Sequence, residues 1–124
     1  MNERILDIGT QEHTQVVCKD KPADGGACHD YAILPTKDKD NEEGLFFDND
    51  IRFQKGPVKE TGVNGCHNED LLAIVIDRLQ HFQAGEYSCR ENALALTKLQ
   101  EAMMWLRART DARKDRGVEG TSVK

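Results

Sequence analysis

Residues 68–117 read NEDLLAIVIDRLQHFQAGEYSCRENALALTKLQEAMMWLRARTDARKDRG, and this stretch decides the fold. Leu71, Val75, Leu79 and Phe82 recur at +4, +4 and +3, the period of one helix face. Asn68 is placed to cap that helix, Glu69 and Asp70 sit where the positive end of its dipole favours acids, and Gly85 stops it. In the second half, Ser88 and Glu91 have the spacing of a capping box, and Leu96, Leu99, Met103 and Leu106 repeat at +3, +4 and +3. The pattern predicts a second helix running to about Arg116, ahead of Gly117. At about 1.5 Å per residue, the two helices span about 24 Å and about 42 Å. Joined by Gly85-Glu86-Tyr87, they cover each other only over the shorter length. The uncovered end of the second helix is marginal alone in water, and Met103, Met104, Trp105 and Leu106 lie near its base. Contact with another copy or with the N-terminal sheet resolves this, and a homo-oligomer is expected.

The first fifty residues lack a helical period and are broken by Pro22 and Pro35. Short strands are expected at Thr14–Cys18, Tyr31–Leu34, Leu45–Asp48 and Ile51–Gln54, with Leu45–Gln54 a hairpin turning at Asp48-Asn49-Asp50. Lys19–Gly26 and Lys37–Gly44 read as exposed loops. The fold class is therefore α+β: a small N-terminal antiparallel β-sheet followed by an antiparallel α-helical hairpin with a long second helix. The expected divisions are a β-rich segment over 1–55, a Gly/Pro-containing connector over 56–68, the hairpin over 69–117 and a tail over 118–124.

The chain has 124 residues, enough for about one domain, and a formal charge of -5. Residues 1–50 carry five basic and twelve acidic side chains, 51–100 six of each, and 101–124 six and four. The overall sign argues against a protein that grips long nucleic acid by neutralising phosphates. The longest uncharged apolar run, Leu71–Ile76, is far too short to cross a membrane. Four scattered cysteines and an N-terminus without a signal peptide's apolar core point to a reducing, intracellular setting.

Several chemistries find no support. Cys28-His29 and Cys66-His67 together offer a zinc ligand set, yet they lack the C-x-x-C spacing that makes such readings strong, and no metal is expected. The acidic run from Asp38 fails as a calcium loop, because Glu43 stands at the sixth position and Asn49 at the twelfth. Gly117-Val118-Glu119-Gly120 lacks the Lys-Ser/Thr of a phosphate loop. There is no G-x-S-x-G elbow, and His13, His29, His67 and His81 have no adjacent nucleophile motif, so no catalytic residues and no cofactor are assigned.

What remains is the cationic end of the second helix. Arg109, Arg113 and Arg116, spaced +4 and +3, place three guanidinium groups on one face. Such groups bind phosphate oxygens bidentately and stack on a base. The competing reading is that they complement the helix dipole and pair with Asp111, Asp115 and Glu119. Phe82 and Asn92 flank the hairpin turn and have the chemistry to stack on and hydrogen-bond an adenine edge. Their alternatives are an ordinary core aromatic and a polar group of the first helical turn.

The segments Phe53–Glu60, Gly62–Gly65, Asn68–Leu72, Asp77–Leu79, Cys89–Leu94 and Arg116–Thr121 resemble the phage helical-hairpin sponge family, which includes Thoeris anti-defence proteins and a related anti-CBASS group. The acidic β-rich segment 1–50 resembles the Thoeris branch. The resemblance covers about residues 53–121. It implies a homo-oligomer, a hexamer built from dimers, that sequesters a TIR-derived glycocyclic ADP-ribose signal in the host cytoplasm without degrading it, and so is not an enzyme. For some members it also implies a separate site for cyclic di- or trinucleotides of CBASS. By the same resemblance, Phe82 and Arg109 sandwich the adenine, Asn92 bonds its edge and Arg113 takes the pyrophosphate. Arg116 and Thr121 become candidates for a second site, with Lys59 closing the first pocket. The competing functions are a phosphodiesterase or glycohydrolase acting on the signal, and a small phage assembly or adaptor protein whose arginines contact carboxylates.

Overall fold

The computed structural model describes residues 4–9, 12–36 and 49–124, which form two compact units. The first, the sheet unit, comprises the described residues up to Gly56 together with Val63–Cys66; the second, the helical unit, comprises Pro57–Gly62 and His67–Lys124. The class is α+β, as expected.

The sheet unit is an antiparallel meander of β1 (Arg4–Ile5), β2 (Thr14–Cys18), β3 (Asp30–Pro35) and β4 (Asn49–Arg52), hydrogen-bonded in that order. Thr14–Cys18 occupies the expected strand, and its partner β3 extends the expected Tyr31–Leu34 by one residue at each end. Val17 lies opposite Ala32, and Cys18 opposite Tyr31. Because successive strand residues face opposite sides, the buried Val17 and Ala32 share one face and Cys18 and Tyr31 the other. Tyr31 meets Phe53 edge-to-face with ring centroids 5.7 Å apart. β1 was not anticipated: two exposed residues carry no alternation to read.

At Asn49 and Asp50, two residues of the turn expected at Asp48-Asn49-Asp50, the chain is extended. Asn49 and Asp50 belong to β4, paired with Ile33 and Ala32. Their local turn preference is overridden because the ladder to β3 satisfies the backbone groups a turn would leave to water. β4 also ends at Arg52, short of the expected Gln54. Beyond it, Phe53 bridges Cys66, with Gln54 N donating to Cys66 O and Cys66 N to Arg52 O, both at 2.8 Å. Leu45–Asp48, the loop Lys37–Gly44 and the acidic run from Asp38 to Glu43 lie outside the described residues.

The second strand-like pass is fastened by Asn64, whose carboxamide accepts from Lys55 N and donates to Lys55 O, both at 2.8 Å. Its neighbour Gly65 has no room for a side chain, since a Cβ there would lie 2.5 Å from the Phe53 carbonyl carbon.

The helical unit contains α1 (Val58–Thr61), α2 (Asn68–Gln83) and α3 (Arg90–Asp115). Both long helices start one residue away from where the cap was expected. His67, not Asn68, caps α2, and its N–H donates to the Asp70 carboxylate at 2.8 Å. Cys89, not Ser88, caps α3, its Sγ accepting from Asn92 N at 3.4 Å. The reason lies in the turn: Gln83 spans it, donating to Cys89 O at 3.1 Å and accepting from Cys89 N at 3.0 Å. That pair fixes Cys89 at the helix entry and leaves Ser88 in the turn.

Candidate functional site

The half-buried residues of α3 are Asn92, Leu96, Leu99, Ala102, Met103, Leu106, Thr110 and Arg113, a stripe at helical spacing. On α2 the half-buried face is Leu71, Leu72, Ile76, Leu79 and Gln83. Val75 and Phe82, read as members of the apolar stripe, are instead exposed at 42% and 37%. Neither long helix buries any residue fully. Ile74, Met104 and Trp105 are 56%, 54% and 65% exposed.

Phe82 is therefore not a core aromatic. At the turn end of the hairpin its ring lies edge-to-face with Tyr87 at 6.5 Å, and the Arg78 guanidinium carbon stands 5.3 Å from its centroid. Asn92 donates from Nδ2 to Tyr87 O at 3.4 Å. Two of the three expected adenine contacts, Phe82 and Asn92, thus converge on Tyr87, and the third, Arg109, does not. Sequence reasoning missed Arg78 and Tyr87. The signal for Arg78 was present, because a residue four before an aromatic on a helix shares its face.

The opposite end of the unit is built by the tail. Gly117, at φ 75°, reverses the chain after α3, a left-handed conformation that only glycine adopts without strain. Arg113 then holds the returning segment, its Nη2 donating to Val118 O and Thr121 O at 3.1 Å each. The Arg116 guanidinium donates to Lys124 O, Lys59 N donates to Gly120 O at 2.9 Å, and Thr121 N to Val118 O at 3.1 Å. Lys59, Arg113, Arg116 and Thr121 are thereby gathered into one assembly of α1, the α3 terminus and the tail. This corrects the expectation of a bare helical overhang: α3 exceeds α2 by ten residues, but its last turn is covered by its own tail.

Arg109 is exposed on α3. Among the described residues, Arg109, Arg113 and Arg116 make no ion pair with Asp111, Asp115 or Glu119. The helix from Asn92 to Arg109 spans about 25 Å at about 1.5 Å per residue. A base sandwich needs its two stacking partners only about 7 Å apart. One chain therefore brings Phe82 to Asn92, and Arg113 to Thr121 and Lys59, but it does not bring Phe82 to Arg109. Between the helices lies an open groove of about 730 Å³, lined by residues including Ile76, Asp77, Met103, Met104, Arg107 and Asp111, and none of the expected ligand contacts is on it.

The histidines of this unit form local pairs. His81 Nδ1 lies 2.8 Å from Asp77 O and 3.6 Å from its carboxylate, and His67 Nδ1 is 4.0 Å from the Asp70 carboxylate. These are i,i+3 and i,i+4 contacts on an exposed helix surface. No helix among the described residues is long and apolar enough to cross a membrane.

In the sheet unit, Cys18, Asp20 and Cys28 bring their ligand atoms within 4.8 Å of one another; among the described residues, Cys66 and His67 are not part of that cluster.

The geometry defines a class first: an exposed antiparallel helical hairpin, capped by a basic C-terminal turn, attached to a small β unit. Residues 48–111 match the family model of the Acb2/Tad1 hairpin domain, just over half of the chain, and the chain belongs to that family. It is also similar to Thoeris anti-defense 1 of Bacillus phage SBSphiJ7, with 62% identity over 74 residues, 60% of this chain and 52% of the relative. The chain thus spans about half the length of the curated relative it matches.

Proposed function

We propose that this is a phage anti-defence protein that binds a glycocyclic ADP-ribose signal and holds it intact, which withdraws it from Thoeris immunity in the infected host's cytoplasm. Membership of the Acb2/Tad1 hairpin family and the relative's name support the anti-defence role. The observation that carries the mechanism is the separation of Phe82 and Asn92 from Arg109 by about 25 Å of helix, with Phe82 and Arg109 exposed. A pocket using all of them takes the turn end of one hairpin and the arginine end of another copy. The copies also cover Met104, Trp105 and Ile74, which the single chain leaves in water. A closed homo-oligomer, a hexamer built from dimers in this reading, completes every pocket by symmetry.

Each residue then has a physical task. Phe82 offers one stacking face, Arg109 the other, and Asn92 an amide edge. Arg113 bonds the tail through Nη2 and presents its remaining guanidinium donors to the pyrophosphate. The Lys59, Arg116 and Thr121 assembly supplies a cation-rich corner for pocket closure or for a second, cyclic di- or trinucleotide ligand. Stacking and charge-assisted bonds hold the ligand without any group that attacks it.

The test is a release assay. Purified protein is incubated with glycocyclic ADP-ribose, freed of unbound ligand and heat-denatured, and the released compound is identified. Intact signal is the expected result. A linear or hydrolysed product would reassign the protein as a phosphodiesterase or glycohydrolase. Complete recovery in the unbound fraction would reject both and favour an adaptor role.

A further inference from the structure

The sheet unit contains a cluster that the nucleotide site does not use. The two sulfurs of Cys18 and Cys28 and the carboxylate of Asp20 lie within 4.8 Å of one another. Both cysteines are buried, at 0% and 7% exposure, and both are free thiols. As thiols they direct weak S–H bonds at one shared acceptor, Asp20 O, at 3.3 and 3.4 Å. His29, next to Cys28, is 7% exposed, and its Nδ1 has no hydrogen-bond partner. A buried polar atom without a partner calls for an explanation.

We propose that Cys18, Asp20 and Cys28 form a structural zinc site; the His29 ring nitrogens lie outside the 4.8 Å cluster, and a turn of that buried, unpartnered imidazole toward it would supply the fourth ligand. Zinc bonds of about 2.3 Å to sulfur and about 2.1 Å to oxygen place tetrahedral ligand atoms about 3.5–3.8 Å apart, a contraction of about 1 Å from the present limit. The donors are soft, which selects zinc over calcium or magnesium. Two thiolates and a carboxylate exceed the charge of Zn²⁺ by one, and the Arg4 guanidinium, 3.8 Å from Cys28 Sγ, supplies the balance. The carboxylate is oriented from behind by the N–H groups of His29 and Asp30 at 3.1 to 3.2 Å, the second layer that fixes metal ligands. Such a site ties the end of β2 to the loop that enters β3.

The sheet unit has reason to need it. Among the described residues its buried apolar side chains are only Val17, Cys18, Cys28 and Ala32. A core of that size gives little folding free energy, and small units with such cores use metals or disulfides as staples. This set differs from the Cys28-His29 with Cys66-His67 combination considered from sequence, because Cys66 is held at Phe53 and stands outside the cluster.

The experiment uses the full chain purified from zinc-supplemented medium without chelator. Elemental analysis is expected to give one zinc per chain. Two of the four cysteines should resist a thiol reagent until a chelator is added. Cobalt exchanged into the wild-type chain should show a thiolate-to-cobalt charge-transfer band in the near ultraviolet, a readout that does not depend on a variant folding. Cys18→Ser with Cys28→Ser should lose the metal, while Cys66→Ser with Cys89→Ser should keep it. Less than a tenth of an equivalent of zinc, or a Cys18–Cys28 disulfide in the non-reduced peptide map, would overturn the proposal. Retention of zinc by the Cys18→Ser, Cys28→Ser chain would do the same.

Discussion

The sheet unit and the helical unit solve the burial problem in opposite ways. The sheet unit buries Val17, Cys18, Cys28, His29 and Ala32 within itself. The helical unit forms two well-capped helices with no buried residue in either and leaves Trp105 65% exposed. Helix formation needs only local hydrogen bonds, so α2 and α3 can exist before their apolar faces are matched. A strand has no such independence, because its backbone groups are satisfied only by a neighbour. The sheet unit has its strands paired within one chain, whereas the helical unit leaves an apolar face that, in the function proposed above, another copy covers.

That comparison breaks most directly at the exposed helical face. Met104→Glu with Trp105→Glu should dissociate the oligomer and abolish ligand retention, a loss of several kcal/mol per interface if an aromatic burial of about 150–250 Å² is removed. Light-scattering mass before and after substitution checks it, and an unchanged mass would place the interface elsewhere. Gly65→Ala attacks the other unit. A Cβ 2.5 Å from the Phe53 backbone forces a shift, and overpacking of this kind costs about 1–3 kcal/mol. Amide exchange in β3 should accelerate while the oligomer mass stays constant, and slowed or unchanged exchange would contradict the packing described.

Phe82→Ala and Arg109→Ala should each weaken glycocyclic ADP-ribose binding by about tenfold or more, ~1.4 kcal/mol each, with the oligomer intact. Mixing the two variants sharpens the point. If a pocket draws Phe82 from one copy and Arg109 from another, mixed oligomers regain some wild-type pockets, and titration calorimetry should detect a restored tight fraction. Pockets built within one chain would give none.

A smaller effect concerns acid. Burial pushes the Asp20 carboxyl up, but the backbone N–H groups of Asp30 and His29, with the His29 charge and the Cys18 thiol, outweigh it and hold its pKa below the usual value. Such a group contributes stability that is present above the ordinary carboxylate pKa and lost as pH falls through the depressed one. In the metal-free chain, Asp20→Asn should flatten the acid dependence of sheet unfolding and leave that of the hairpin unchanged, as read by exchange or circular dichroism across the acid range. The smallest effect is expected at Arg78, whose guanidinium lies against one side of Phe82. Arg78→Ala should change ligand affinity by less than about threefold if the base uses the other face of the ring, since an exposed cation–π contact contributes about 0.5–1 kcal/mol. A tenfold loss would make Arg78 a direct contact.

The sequence alone determined the hairpin. Periods of 3.6, the dipole-matched acids at Glu69 and Asp70, and the stops at Gly85 and Gly117 are all local, because they depend on residues within about one turn of each other. The same locality made the arginine face at Arg109, Arg113 and Arg116 legible. Tertiary structure decided what no local window contains. It drew Asn49 and Asp50 out of a turn and into β4, let Gln83 choose Cys89 as a cap, and turned Phe82 outward. It used Arg113 to fold the tail back on α3. Cys18 and Cys28, ten residues apart and without a knuckle motif, meet only because β2 and β3 pair across Lys19 and Asp30. Periodicity fixes which side of an element faces inward; which distant element meets it depends on pairing and packing that close only when the whole chain is folded.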